Sequence, residues 1–163
     1  MTNYEELVPL LANVHVEFIL VGGVAATVHG SARSTQDLDI VYHRTPENMA
    51  KLVAVLAPHN PYLRGAPPGL PFHFDLDTLR AGGNFTLTTD LGWLDLLAEI
   101  AGGGTYANLL PHSILVPVFG SQCRVLDLET LIQAKRAAGR PKDFEALAEL
   151  ELLRDRLTKG SGS

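Results

Sequence analysis

Asp37 and Asp39 stand two residues apart in a stretch, residues 37–42, where carboxylates alternate with Leu38, Ile40 and Tyr42. A period of two belongs to a strand, so both carboxylates project from one face, and neighbouring strands can place more beside them. Paired carboxylates together with phosphate oxygens are how proteins hold Mg²⁺, which keeps several of its waters. Two such ions about 3.5–4 Å apart clamp the attacking and leaving oxygens of an in-line displacement at phosphorus. Just upstream, an apolar run at residues 16–21 reads as a buried strand, closed by Gly22-Gly23 and followed by a short helix over 24–29. Without Cβ atoms at the glycines a ligand can approach the backbone, and free amides at a helix start suit a phosphate. These residue types point to phosphoryl or nucleotidyl chemistry.

Asp95 is the candidate for a third carboxylate. It lies alone among Trp93, Leu94, Leu96 and Leu97 on a strand expected to be buried, and a lone buried carboxylate needs a metal or hydrogen bonds to compensate it. The bland alternative is an exposed residue of an edge strand. Asp75 and Asp77 repeat the acidic spacing but follow a proline-rich loop, lack a glycine pair and suit the first turn of a helix, so they are not the metal site. Lys135, Arg136, Arg140 and Lys142 fall within eight residues and can face a triphosphate or a nucleic-acid backbone. They suit the end of one helix equally well, as Asp143 suits the start of the next. The six histidines are scattered and have no cysteine partner, so they form no zinc site. Gly102-Gly103-Gly104 lacks the lysine of a phosphate-binding loop and reads as a hinge. No serine has the setting of a hydrolase nucleophile.

The elements that must position these residues follow from periodicity and turn chemistry. An amphipathic helix over 5–11 opens the chain, and Thr45-Pro46 caps a helix whose stripe is Met49, Leu52, Val53 and Leu56. Residues 58–71 hold five prolines and two glycines, which predicts a loop that no regular element crosses. Hairpins are expected over 85–97, turning at Asp90-Leu91-Gly92, and over 114–126, turning at Gly120-Ser121. Two closing helices, 128–138 and 142–157, flank Gly139-Arg140-Pro141. No regular alternation of strand and helix is present, so a small mixed sheet with helices on its faces is the economical architecture.

Composition is that of a globular protein, with 46% apolar and 19% charged residues over 163 positions. A net charge of −5 argues against a protein that coats nucleic acid by bulk charge, though not against a local basic patch. One cysteine excludes an internal disulfide framework. No apolar run reaches membrane-spanning length, and acids near the start oppose a signal peptide, so a cytoplasmic protein is expected. Residues 1–159 read as a single domain and 160–163, Gly-Ser-Gly-Ser, as an appended linker.

The order Gly22-Gly23, then Arg33, Thr35 and Asp37-Leu38-Asp39 on the next strand, resembles the signature of the polymerase-beta-like nucleotidyltransferase superfamily. Arg33 and Thr35 strengthen the likeness to its small prokaryotic branch, which includes nucleotidyltransferase toxins and aminoglycoside nucleotidyltransferases. The resemblance implies an α/β (α+β) fold, a small mixed sheet flanked by helices with further helices at the C-terminus. It implies an enzyme that moves a nucleoside monophosphate from an NTP to a hydroxyl and releases pyrophosphate. Asp37, Asp39 and Asp95 would be catalytic and bind Mg²⁺ or Mn²⁺. Gly22, Gly23, Arg33, Thr35, Lys135 and Asp143 would bind nucleotide, the last two by a looser match to the toxins. The implied acceptor is tRNA or a protein, with a cognate antitoxin as a possible partner. An aminoglycoside-modifying enzyme, a minimal nucleotidyltransferase that modifies a toxin, and a catalytically silent nucleotide-binding module stand as alternatives.

Overall fold

In the computed structural model, which describes residues 1–161, the chain builds one seven-stranded mixed sheet and a two-stranded ribbon. Helix α1 (Tyr4–Asn13) starts at an Asn3 cap whose side chain accepts the Glu6 amide, and it buries Leu7, Val8 and Leu11. Strand β1 (Phe18–Val21) is buried throughout, runs directly into α2 (Gly22–Val28), and pairs antiparallel with β2 (Asp37–Tyr42). Helix α3 (Pro46–Leu56) has the expected Thr45 cap and first-turn proline. The short β3 (Tyr62–Leu63) and α4 (Leu76–Ala81) precede the hairpin of β4 (Phe85–Thr89) and β5 (Gly92–Leu97). The small ribbon of β6 (Glu99–Ile100) and β7 (Gly104–Thr105) leads to α5 (Tyr106–Leu109). The second hairpin, β8 (Ser113–Val118) and β9 (Ser121–Leu126), is followed by α6 (Leu128–Ala138) and α7 (Phe144–Ser161).

The sheet order is β3-β4-β5-β2-β1-β9-β8. Only β2 with β5 and β1 with β9 run parallel; the other pairs are antiparallel. The core is apolar and continuous: Ile19, Leu20, Leu38, Ile40, Leu87 and Leu94 are fully buried across the central strands. Each such side chain contributes about 1.5–3 kcal/mol by leaving water. Helix α2 packs on β1 and β2 and against α6, which packs in turn on α7. The closing helices are thereby laid over the end of the sheet that carries the acids.

Three sequence expectations are corrected. The proline-rich segment does carry a strand: β3 fits into the proline-free stretch between Pro61 and Pro67 and adds to the sheet edge against β4. The glycine run at 102–104 is no bare hinge: Gly103 donates to the Ile100 carbonyl at 3.2 Å, closing the turn between β6 and β7. The last helix begins at Phe144, after a single 3-10 turn at Pro141–Asp143. It continues into the tail expected as a linker, of which residues 162–163 lie outside the described residues.

Candidate active site

The parallel ladder of β2 with β5 sets Asp39 opposite Asp95, and Asp37 lies two residues before Asp39 on the same face. One oxygen from each of Asp37, Asp39 and Asp95 falls within 4.8 Å of the others. Val21, the last residue of β1, is the register partner of Asp39 on the other side, which brings the glycine pair alongside. Gly22 turns the chain with φ +65°, and a Cβ there would overlap the Asp39 carboxylate. Glycine is needed for both reasons. A Cβ at Gly23 would press to 2.6 Å from Thr35 Oγ1.

The segment before β2 is braced from the N-terminus. The Tyr4 hydroxyl donates to the Thr35 carbonyl at 2.9 Å, the Thr2 hydroxyl donates to the Gln36 carbonyl, and the Trp93 amide donates to the Thr2 hydroxyl at 3.0 Å. These contacts fix the start of β2 to β5 and so fix the carboxylates relative to one another.

Electrostatically the three carboxylates oppose one another. Burial first, and then the adjoining Asp95 and Asp37 carboxylates, push the Asp39 carboxyl up to about 8. The same causes, burial and then Asp95, raise Asp37, with Arg64 and Lys142 opposing them. Among the described residues, Asp39 Oδ1 is buried with no hydrogen-bond partner. An unpaired buried carboxylate oxygen beside two other hard oxygen donors is the environment a divalent cation relieves. The residues present fit a divalent cation.

A cleft of about 340 Å³ opens from the acids toward α6 and α7. Gly22, Gly23, Arg33, Thr35, Lys135 and Asp143 all line it, together with Ser31, Ser34, Arg140 and Lys142. Lys135 and Arg140 converge on one buried acid: Lys135 Nζ is 3.1 Å from Asp143 Oδ1, and Arg140 Nε is 2.7 Å from Oδ2. Burial raises the Asp143 carboxyl, but the hydrogen bonds from Arg140 and Lys135 outweigh it and hold the group below its usual range. Arg33 pairs with Glu145 at 3.3 Å. Lys142 makes no ion pair among the described residues and lines the cleft mouth. Arg136 points elsewhere, to Glu151 at 2.8 Å. Of the four clustered cations, then, three border the cleft and one does not.

Asp75 caps α4, accepting the Thr78 amide at 2.8 Å, and Asp77 lies in that helix's first turn. The repeat of the acidic spacing is a helix start. Two features escaped the sequence. Glu149 of α7 accepts from the Ser31 hydroxyl at 2.5 Å and the Ala32 amide at 3.1 Å, tying the last helix to the loop after α2. Arg64 donates from Nη2 to Asp95 Oδ1 at 2.9 Å and lies 3.6 Å from Asp37 Oδ2. It is the compensation that Asp95 needed. Arg64 is the only Lys or Arg between Lys51 and Arg80, so an acid isolated on an apolar strand had few cations to choose from.

No protein-family model matches the chain, and no curated protein matches it. Among solved structures, a Thermotoga maritima protein (TM1012), provisionally described as a nucleotidyltransferase, is similar with a TM-score of 0.55. The match has 15% identity and covers 98% of this chain and 96% of that one. The fold is nucleotidyltransferase-like. At that identity the likeness carries the fold alone, and the chemistry rests on the acids, glycines and cations just described.

Proposed function

We propose that this chain is a Mg²⁺-dependent nucleotidyltransferase that moves a nucleoside monophosphate from an NTP to a hydroxyl acceptor. The observation that carries the reading is the joint placement of three carboxylates within 4.8 Å, one of them seated where only glycine leaves it room. Asp37, Asp39 and Asp95 would hold the metal, Mg²⁺ or Mn²⁺, as hard oxygen donors. When bound, the ion supplies charge neutralisation at the reacting phosphate.

The other roles belong to the chain itself. Gly22 and Gly23 leave the backbone open to the phosphates, while Arg33, Lys135, Arg140 and Lys142 offset their charge from the cleft wall. Thr35 lies where a side chain at Gly23 would be, and Asp143 keeps Lys135 and Arg140 aimed into the cleft. Asp95, the cluster's carboxylate on β5, accepts the acceptor's proton as the acceptor oxygen bonds to the α-phosphorus. The bond from that phosphorus to the β-bridging oxygen breaks, and pyrophosphate leaves.

The acceptor in this reading is tRNA or a protein, in the cytoplasm, as for a toxin restrained by a cognate antitoxin; an aminoglycoside is the alternative. Exposed Arg33, Arg140 and Lys142 at one cleft favour a polyanionic acceptor. The test is pyrophosphate release with each NTP, Mg²⁺ and added tRNA, protein or aminoglycoside. Asp39→Asn should lose several kcal/mol of transition-state stabilisation while keeping its fold, and Asp77→Asn should lose none. Full turnover in Asp39→Asn would overturn the site.

A further inference from the structure

Arg64 is held from several sides at one edge of the carboxylate cluster. Its amide donates to the Thr86 carbonyl at 2.9 Å, continuing the pairing of β3 with β4. Nη2 donates to the Leu87 carbonyl at 2.7 Å as well as to Asp95 Oδ1, and the guanidinium lies 4.7 Å from the centroid of the Trp93 ring. The side chain is only 18% exposed. It therefore bridges Asp95 and Asp37 and, among the described residues, leaves Asp39 Oδ1 unpartnered. Arginine stays charged at any pH a protein survives, and its planar fork suits two carboxylates better than a lysine ammonium does.

Taking the three acids as a metal site, we infer that Arg64 is the site's built-in counter-ion. It stabilises the metal-free cluster and competes with free divalent cations. The metal then binds well only when a phosphate chain brings further negative charge. Three carboxylates with no cation would repel one another. With Arg64 in place, part of that repulsion is already relieved, and a metal gains correspondingly less by binding alone. A purely structural role, through Leu87 and Trp93, makes the opposite forecast: losing Arg64 would loosen the acids and weaken metal binding.

The experiment measures Mn²⁺ binding by the free-ion electron paramagnetic resonance signal, and binding of preformed Mg²⁺–tripolyphosphate by Trp93 fluorescence. Trp93 is the single tryptophan and touches the Arg64 guanidinium, so its emission reports movement of that group. Wild type should bind Mn²⁺ alone weakly, and its Trp93 emission should shift when Mg²⁺–tripolyphosphate binds. Arg64→Gln should bind Mn²⁺ alone about tenfold or more tightly than wild type, from loss of one competing charge in contact with the site. It should also melt lower in chelator, recover on adding Mn²⁺, and lose most of the Trp93 response. Arg64→Lys, which keeps the charge, should stay close to wild type in Mn²⁺ affinity. Unchanged or weaker Mn²⁺ binding by Arg64→Gln would overturn the inference, as would a variant still unfolded in Mn²⁺. If wild type bound neither probe, the metal-site reading itself would fall. Binding by wild type without tightening in Arg64→Gln would remove only the role given to Arg64.

Discussion

Replacing Gly22 by alanine tests whether the glycine is there for the carboxylate or only for the turn. Two costs are separable. The backbone sits at φ +65°, where an L-residue is disfavoured by roughly 1–2 kcal/mol. For a chain of this length each kcal/mol lowers Tm by about 2–4 °C, so a fall of roughly 2–8 °C is expected, slightly reduced by the stiffer unfolded chain. The second cost is local: the new methyl overlaps Asp39 Oδ2, and the nearest relief is rotation of the Asp39 side chain out of the cluster. Losing that oxygen should weaken Mn²⁺ binding at least about 10–100-fold, the range seen when the supports of a metal ligand are disturbed. Gly120→Ala is the matched control. Gly120 has φ +83° at the turn of β8 and β9, with nothing within 4 Å of an added Cβ. It should melt lower by a similar amount and bind Mn²⁺ as wild type does. Thermal melting and Mn²⁺ titration of both variants decide the matter. Normal Mn²⁺ binding by Gly22→Ala, or equal loss in Gly120→Ala, would refute the reasoning.

Asp143→Asn should cost about 2–4 kcal/mol at neutral pH, because it leaves Lys135 and Arg140 without their buried acid while Arg140, half exposed, can rehydrate. Asp143's folded-state pKa lies below its unfolded value of 3.8, so its contribution is complete above that value. It is lost as pH falls through the lower folded pKa, and chemical denaturation from pH 7 to pH 2 should show the variant and wild type converging there. Lys142→Ala should reduce transfer to tRNA with a salt dependence shallower than wild type by about one contact, whereas Arg136→Ala, paired outside the cleft, should match wild type; transfer rate against salt concentration measures both.

Much of the site was readable because its signals are local. The alternation over Asp37–Tyr42 needs only a two-residue period, and the observed strand has those bounds. Asp95 stood out because an isolated carboxylate among Trp93, Leu94 and Leu96 demands a partner. What no local signal carries is the register that sets Asp39 opposite Asp95, since a parallel pairing of β2 with β5 joins segments about 50 residues apart. Arg64 was hidden for a related reason. Proline density around it argues against any strand, and only the long-range pairing of Tyr62 with Thr88 and Leu63 with Leu87 turns the segment toward the acids. Asp143 was matched by resemblance to a lysine–aspartate pair, yet the second claim on it, from Arg140 three residues earlier, depends on the 3-10 turn at Pro141–Asp143.

Net charge is a poor guide to this cleft, and the pairing pattern shows why. The chain carries five more acids than bases, but the cations near the glycine pair are concentrated and mostly spoken for. Lys135 and Arg140 share Asp143, Arg33 has Glu145, and Arg64 has Asp95 and Asp37. A phosphate chain entering the cleft therefore exchanges one anion for another at most of these groups, and the net gain at each is small. Asp143 resists that exchange most, since its side chain is 4% exposed and would be stranded if both cations left. Arg33 faces the weakest competitor, because Glu145 is largely in water and can release it at little cost. Lys142 acts on Asp37 only from a distance and, among the described residues, holds no carboxylate in an ion pair. Its contribution to phosphate binding is thus the least discounted among these cations, which is why its removal, rather than that of Lys135, should dominate the salt dependence.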